Sequence, residues 1–417
     1  MNDAIEKLSR RLTDAAAAPE IISHARGLTL VVRFGTDSRA VDVVSDEKTV
    51  SVAPSSGNAD ISMIAAESEW ERVLQPVPPP IYHSFSSIQL RNPRFDVSGE
   101  PLAIAQARGY LEAIFAHLTN SGGAGTELEL SVIAGGYHRV RASNGQRVDI
   151  FSESTGEGVP LLCLHTAGAD TRQFHGVMCD PALRNGWRMI GFDMPAHGRT
   201  MPQAGWDGKI YELDQNTYLD WCVSFVEQVI AEPVVVAGCS MGAGIALALA
   251  AERPDLVRSV VAIEAPLRPR GRRNPFLTHA KVNGGWHSAA YVRGLMSPSS
   301  PPEDRRRAAH IYAQGAPGIY DGDLVFYSDE FDGEAVAKRI DGRKTPVELL
   351  IGHYDFSATV SDAHSLASWI EGARVTEMPE LGHFPMTENP KIFLDYLRPV
   401  LARLKSSDRN QIFPAAL

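Results

Sequence analysis

The chain has 417 residues and a formal net charge of −10 at pH 7. A chain of this length exceeds what one hydrophobic core ordinarily organises, so two domains, or one domain with a large insertion, are expected. With 44% apolar and 22% charged residues it has a globular composition, and its acidic balance argues against broad binding to nucleic acid or to an anionic membrane surface.

Residues 1–11 carry charges throughout and no apolar stretch follows them, so no secretory signal is read there. No uninterrupted apolar run is long enough to span a bilayer. The four cysteines are Cys163, Cys179, Cys222 and Cys239. None forms a CxxC pair, and Cys163 and Cys239 fall in expected buried strands. They read as reduced core residues of a cytoplasmic protein.

The N-terminal part opens on a helical pattern over 4–18. Strands are expected over 28–34, 40–44, 49–52 and 61–64, then a helix over 67–74. A proline cluster at Pro76, Pro78, Pro79 and Pro80 interrupts the pattern. A strand over 94–97 leads into a long helix over 101–118, with Ile104, Ala107, Leu111, Ile114 and Phe115 at a 3.6-residue period. Small and polar residues at 119–126 read as a linker. The expected organisation is a domain over 1–120, a linker over 121–127 and a second domain over 128–417.

Helix, meander and long helix make an α+β layout. With the Ala59-Asp60-Ile61 strand and the Phe95–Gly99 turn into the last helix, this layout resembles a sterol carrier protein domain over about the first 118 residues. The resemblance brings no catalytic motif and implies an apolar-ligand carrier; a dimerisation or scaffold role is the other reading.

Beyond the linker, short runs rich in Val, Ile and Leu recur at 148–152, 161–164, 188–192, 234–237, 259–263 and 347–351, with helices between several of them. Such runs read as strands buried on both faces of a doubly wound, mostly parallel sheet. The alternation lapses over about 267–343, a Pro- and Arg-rich stretch that reads as a helical cap inserted over the sheet.

The most informative segment is Gly238-Cys239-Ser240-Met241-Gly242, after an apolar strand and before a helix of small residues. A serine on a sharp strand-to-helix turn needs small neighbours, because backbone crosses close to backbone; Gly238 and Gly242 supply the room. The turn exposes the Ser240 hydroxyl and places the Met241 amide at a helix N-terminus, where it can face a developing oxyanion.

A serine hydroxyl needs a base, and the base needs an orienting acid. His383 follows a short strand over 375–378 and precedes a final helix over 390–404. It therefore sits where a doubly wound sheet places its active site. Asp355 lies just beyond the 347–351 strand, in the chain order Ser, acid, His. Glu264, at the end of the preceding strand, is the rival acid. His175, His197, His279, His287, His310, His353 and His364 read as structural, or as substrate-facing where they lie in the cap. None has metal-ligand spacing, and no cofactor or metal is implied. Arg268, Arg270, Arg272 and Arg273 read as a solvated basic loop, with recognition of an acidic substrate group as the alternative.

Residues 141–405 resemble the α/β-hydrolase fold family. The Gly238–Gly242 elbow, Asp355, and His383-Phe384-Pro385 with Glu388-Asn389-Pro390 carry the resemblance. So do the loop Asp193 to Thr200, with Pro195 and His197-Gly198, and His165-Thr166-Ala167 at the place of the family's His-Gly-x turn. The resemblance implies the amides of Ala167 and Met241 as oxyanion donors. The sequence departs at Thr166, where the family usually has glycine. A serine nucleophile sets the chain apart from the dehalogenases and epoxide hydrolases of this fold, which carry aspartate. A serine hydrolase acting on a small, apolar carboxylic ester is expected, with amide or carbon–carbon bond hydrolysis on the same triad as the alternative. A non-catalytic ligand-binding protein is the reading from another class. Homo-oligomerisation is left open.

Overall fold

The computed structural model describes residues 3–119, 123–206 and 211–408. In chain order the N-terminal part runs α1 (Ala4–Ala16), α2 (Pro19–Ala25), β1 (Thr29–Gly35), β2 (Ala40–Asp46), β3 (Val50–Pro54), β4 (Ile61–Ala65), α3 (Glu67–Val73), α4 (Phe85–Arg91), β5 (Phe95–Gly99) and α5 (Pro101–Leu118). The principal elements that follow are β6 (Ala134–Arg141), β7 (Arg147–Thr155), β8 (Glu157–Leu164), β9 (Asn185–Phe192), α6 (Gln215–Phe225), β10 (Val234–Cys239), α7 (Met241–Glu252) and β11 (Val257–Ile263). Then come α8 (Gly284–Gly294), α9 (Pro302–Ala313), α10 (Ile319–Leu324), β12 (Val347–Gly352), α11 (Val360–Trp369), β13 (Arg374–Met378) and α12 (Pro390–Asp408).

The chain divides into two compact units: residues 1–124 with 275–313, and residues 125–274 with 314–417. The expected linker lies partly outside the described residues. The segment 275–313, inside the stretch expected as a cap, belongs to the first unit.

In the first unit a five-stranded sheet runs in the order β3-β2-β1-β4-β5, antiparallel except for the β1–β4 pair. Helix α1 begins where the Asp3 side chain accepts the amides of Ile5 and Glu6, and it buries Ile5, Leu8 and Leu12 on one face. Two short helices were not legible in the apolar pattern. Helix α2 restarts at Pro19, a residue suited to a first helical position. Helix α4 forms behind Ser84, whose hydroxyl accepts the Ser87 amide at 3.0 Å. The inserted segment is held to this unit through its own backbone. The Ser84 hydroxyl donates to the Gly294 carbonyl at 2.8 Å, and Gln106 donates to the Lys281 carbonyl at 3.0 Å.

In the second unit an eight-stranded sheet runs in the order β13-β12-β11-β10-β8-β9-β7-β6. The β6–β7 and β7–β9 pairs are antiparallel and every other pair is parallel. This is the doubly wound sheet that the strand pattern predicts, with one edge strand the pattern missed. Strand β10 is central, buried over its whole length, and hands the chain to α7. Its C-terminal end, with those of β11 and β12, positions the site. Among the described residues no helix is long and apolar enough to cross a membrane.

Candidate active site

Ser240 sits between β10 and α7 with φ 55° and ψ −114°, a strained conformation for a residue with a side chain. The neighbours explain why it persists. A Cβ on Gly238 would come 2.0 Å from the Gly242 carbonyl oxygen, and one on Gly242 would come 2.2 Å from that of Leu164. Only glycine lets these backbones cross, and the crossing aims the serine outward from the strand end.

The Ser240 hydroxyl lies 2.8 Å from Nε2 of His383, and Nδ1 of His383 lies 2.5 Å from Oδ2 of Asp355. All three residues are buried. The Asp355 carboxylate must accept at Nδ1, so that nitrogen carries the proton and Nε2 is left as the acceptor for the serine hydroxyl. The second Asp355 oxygen accepts the Ser357 amide at 2.6 Å. The loop bearing His383 is itself fixed. Glu388, fully buried, accepts the Gly382 amide at 2.7 Å, and the Cys239 thiol donates to the His383 carbonyl at 3.4 Å.

Glu264 does not bond the imidazole. Its Oε1 accepts the Gly352 amide at 2.8 Å, and its Oε2 has no partner among the described residues. Complete burial, then the charge of Asp355, push its pKa well above the usual carboxylate range. Burial thus favours the neutral form of the Glu264 carboxyl. Glu264, Asp355 and His383 bring one potential metal-ligand atom each within 4.8 Å of the others. The 2.5 Å separation of His383 and Asp355 is that of a hydrogen bond and leaves no place between them for a cation with ~2.0–2.2 Å bonds.

The loop after β8 leaves a particular amide unpaired. The Thr166 amide donates to Gln173 at 2.9 Å and the Gly168 amide to Asp323 at 2.7 Å. The Ala167 amide between them has no partner among the described residues, and neither has that of Met241 at the start of α7. Thr166 is tolerated in place of glycine because the left-handed residue of this loop is Gly168, at φ 69°. The neighbouring imidazoles brace the loop. His165 donates from Nδ1 to the Thr166 carbonyl at 2.9 Å, and its Nε2 accepts the Met194 amide at 3.3 Å. His197 contacts Asp323 at 2.8 Å. Burial disfavours its charged form, but the Asp323 carboxylate outweighs this and raises its pKa.

Of the other expected residues, Asp193 staples its own loop, accepting the amides of Thr171 and Arg199 at 2.9 and 2.8 Å. Arg272 approaches the site, bonding the hydroxyls of Ser357 and Tyr320. Arg268 pairs with Asp332, and Arg273 with Asp321 and Asp329. Sequence reasoning missed Tyr327, whose hydroxyl lies 3.1 Å from that of Ser357. Burial pushes its pKa up to about 12, partly offset by Arg272 and by the Ser240 and Ser357 hydroxyls. Tyr327 lies in a π-helical turn, Val325–Glu330, a rare geometry that recurs at functional sites and was the one local signal available.

The model of the family described as alpha/beta hydrolase fold matches residues 159–390, more than half of the chain. The chain belongs to the α/β-hydrolase fold family. Pyrrolizixenacetamide deacetylase of Xenorhabdus hominickii is 28% identical over 264 residues, 59% of this chain and 92% of its own. The 2-hydroxymuconate semialdehyde hydrolase of Pseudomonas sp. (strain CF600) is 25% identical over 260 residues, 60% of this chain and 88% of its own. Among solved structures, the enol-lactonase from Burkholderia xenovorans LB400 superimposes with a TM-score of 0.55 at 19% identity, over 65% of this chain and 100% of its own. The chain is thus an α/β-hydrolase enzyme with an additional α+β region at its N-terminus.

Proposed function

We propose that this α/β-hydrolase cleaves a carboxylic ester of a small, apolar substrate through an acyl-enzyme on Ser240. The observation that carries the reading is the hydrogen-bonded line Ser240 Oγ, His383 Nε2, His383 Nδ1, Asp355 Oδ2, at 2.8 and 2.5 Å. His383 takes the Ser240 proton as the oxygen attacks the carbonyl carbon, and returns it to the departing alkoxide. Asp355 holds the ring in the tautomer that leaves Nε2 free and offsets the charge of the imidazolium. Water, deprotonated by the same nitrogen, then releases the acid. The unpaired amides of Ala167 and Met241 are the donors for the oxyanion; one such donor is ordinarily worth about 10²–10³ in kcat. The Tyr327 hydroxyl, beside Ser357, is a further polar contact for the substrate at the same mouth.

Amide hydrolysis is the second reading, favoured by the relative named as a deacetylase. A matched pair, one acyl group carried as its p-nitrophenyl ester and as its p-nitroanilide, decides between them. Ester turnover with a burst of nitrophenol, at a kcat/KM at least a hundredfold above the anilide, is expected, together with labelling of Ser240 by a fluorophosphonate. Absence of labelling refutes the triad; faster anilide cleavage refutes the ester assignment. The resemblance of the first 118 residues to a sterol carrier protein domain, and a cytoplasmic location, belong to the same reading. They rest on the helix, meander and long-helix layout and on the reduced cysteines.

A further inference from the structure

We propose that the first unit carries a separate binding site for a small aromatic carboxylate, in a cavity of about 940 Å³ among α2, α5, α8 and α9. Every residue that lines it belongs to the unit formed by 1–124 and 275–313, and none belongs to the catalytic unit. The site stands or falls independently of the reaction assigned to Ser240.

The cavity comes from residue size. Ala105 and Gly109 on α5, Ala289 and Ala290 on α8, and Ala309 and Ala313 on α9 are among the residues that line it. Small residues at facing positions ordinarily let helices close on one another, and protein interiors hold few voids larger than a water molecule. Here the small side chains leave open space between the helices. Gly109 is the telling position, because glycine inside a helix is unfavourable compared with alanine. Sterics do not require it: a Cβ there would meet His24 Nδ1 at 3.6 Å and Ala290 at 3.9 Å, ordinary contact distances. Its effect is to widen the space. The volume falls within the range of small-molecule sites.

Positive charge predominates on the walls. Arg26, Lys281, Arg293, Arg306 and Arg307 line the cavity, against one carboxylate, Glu303. Arg293 is engaged by Glu20, Arg306 by Glu303 and Arg307 by Asp304. Arg26 and Lys281 have no carboxylate partner among the described residues. A cationic cavity in a chain whose net charge is −10 is a local arrangement, not a consequence of composition. Burial lowers the pKa of His24 and of His287, and His287 donates from Nδ1 to the Ala105 carbonyl at 3.1 Å. Trp286 supplies the flat apolar surface. It lines the cavity and is 64% exposed, an unusual exposure for tryptophan. Guanidinium and ammonium groups beside an open indole face fit a carboxylate on an aromatic body.

The test is calorimetry on the full chain with naphthalene-2-carboxylate and its neutral counterpart 2-naphthamide. The carboxylate is expected to bind one to one, at least tenfold more tightly than the amide. The double variant Arg26→Glu and Lys281→Glu changes only exposed side chains; it should weaken the carboxylate at least tenfold, leave the amide within threefold, and leave ester turnover as in the parent. Ala290→Trp, which fills the cavity, should abolish both. Equal affinity for the acid and the amide overturns the proposal. So does unchanged carboxylate binding in the double variant, whose exposed positions keep a folding defect from mimicking the result.

Discussion

Glu264 lies against Asp355 with its carboxyl wholly buried, and burial, with the charge on Asp355 adding to it, raises its pKa. Only Asp355 reaches the imidazole; Glu264 spends one oxygen on the Gly352 amide, at the end of the strand that delivers Asp355. The two carboxyls thus have separate tasks, one orienting His383 and the other shaping the loop that carries its partner.

Because burial and the charge of Asp355 favour the neutral form of Glu264, Glu264→Gln keeps its shape with little change in electrostatics, and kcat should stay within about tenfold of the parent. Asp355→Asn removes the charge and favours the wrong imidazole tautomer, so kcat should drop by about 10³–10⁴. Steady-state kinetics on one chromogenic ester compares them. A crippling Glu264→Gln beside a mild Asp355→Asn would reverse the assignment.

A chain beginning near Thr126 keeps Ser240, Asp355 and His383, and with them the whole chemical apparatus. Its folding is another matter. Residues 275–313 fold with the N-terminal unit, and truncation uncovers the buried His287, Ala289, Ala290 and Val292 of α8. The truncated chain should aggregate or bind 1-anilinonaphthalene-8-sulfonate strongly. A monomeric fragment with parental fluorescence and turnover would contradict this.

Legibility followed the range of the interaction. Helix α5, with its Glu100 cap and 3.6-residue apolar period, stands where its spacing predicts. The buried strands β10 and β12 were visible as apolar runs. Strand β6 was not, because Ala134-Gly135-Gly136-Tyr137-His138-Arg139 is mostly exposed at the sheet edge and carries no alternation. The serine elbow and His383 announced themselves through local backbone needs. Asp323 could not: it meets the Gly168 amide across 155 positions, and no local pattern encodes such a contact. The partition of 275–313 was hidden for the same reason, since the faces of α8 match surfaces far away in the chain.

Asp323 is the support through which the Ala167 loop can be tested. One oxygen holds both the Gly168 amide and His197, and neither Asp323 nor His197 meets solvent. Asp323→Ala releases the loop, and kcat should fall by up to about a hundredfold, with KM within threefold, since the loss is in oxyanion stabilisation. Asp323→Asn keeps an acceptor for the Gly168 amide and should recover most of the rate. An alanine variant with parental kcat would detach this residue from catalysis.

The first unit should weaken in mild acid, before carboxylates protonate. Burial, with Arg305 adding to it, lowers the pKa of His83 to about 4 despite its bond to the Gly294 carbonyl. Burial and Arg108 bring His287 to about 4 as well, against the pull of the Ala105 carbonyl. In the unfolded chain both rings titrate near 6.5. Below that pH the unfolded state takes up protons that the folded state refuses, so stability falls as pH falls, from about 6.5 down to about 4, where the folded rings protonate too. At pH 5.5 each ring should cost about 1.4 kcal/mol relative to pH 8. Urea unfolding at the two pH values, followed for the parent and for His287→Gln, isolates one ring. Glutamine keeps a donor for the Ala105 carbonyl but cannot titrate, so the variant should lose about 1.4 kcal/mol less than the parent on acidification. An identical loss in both would mean that His287 is charged in the folded chain, and that Arg108 and burial do not govern it.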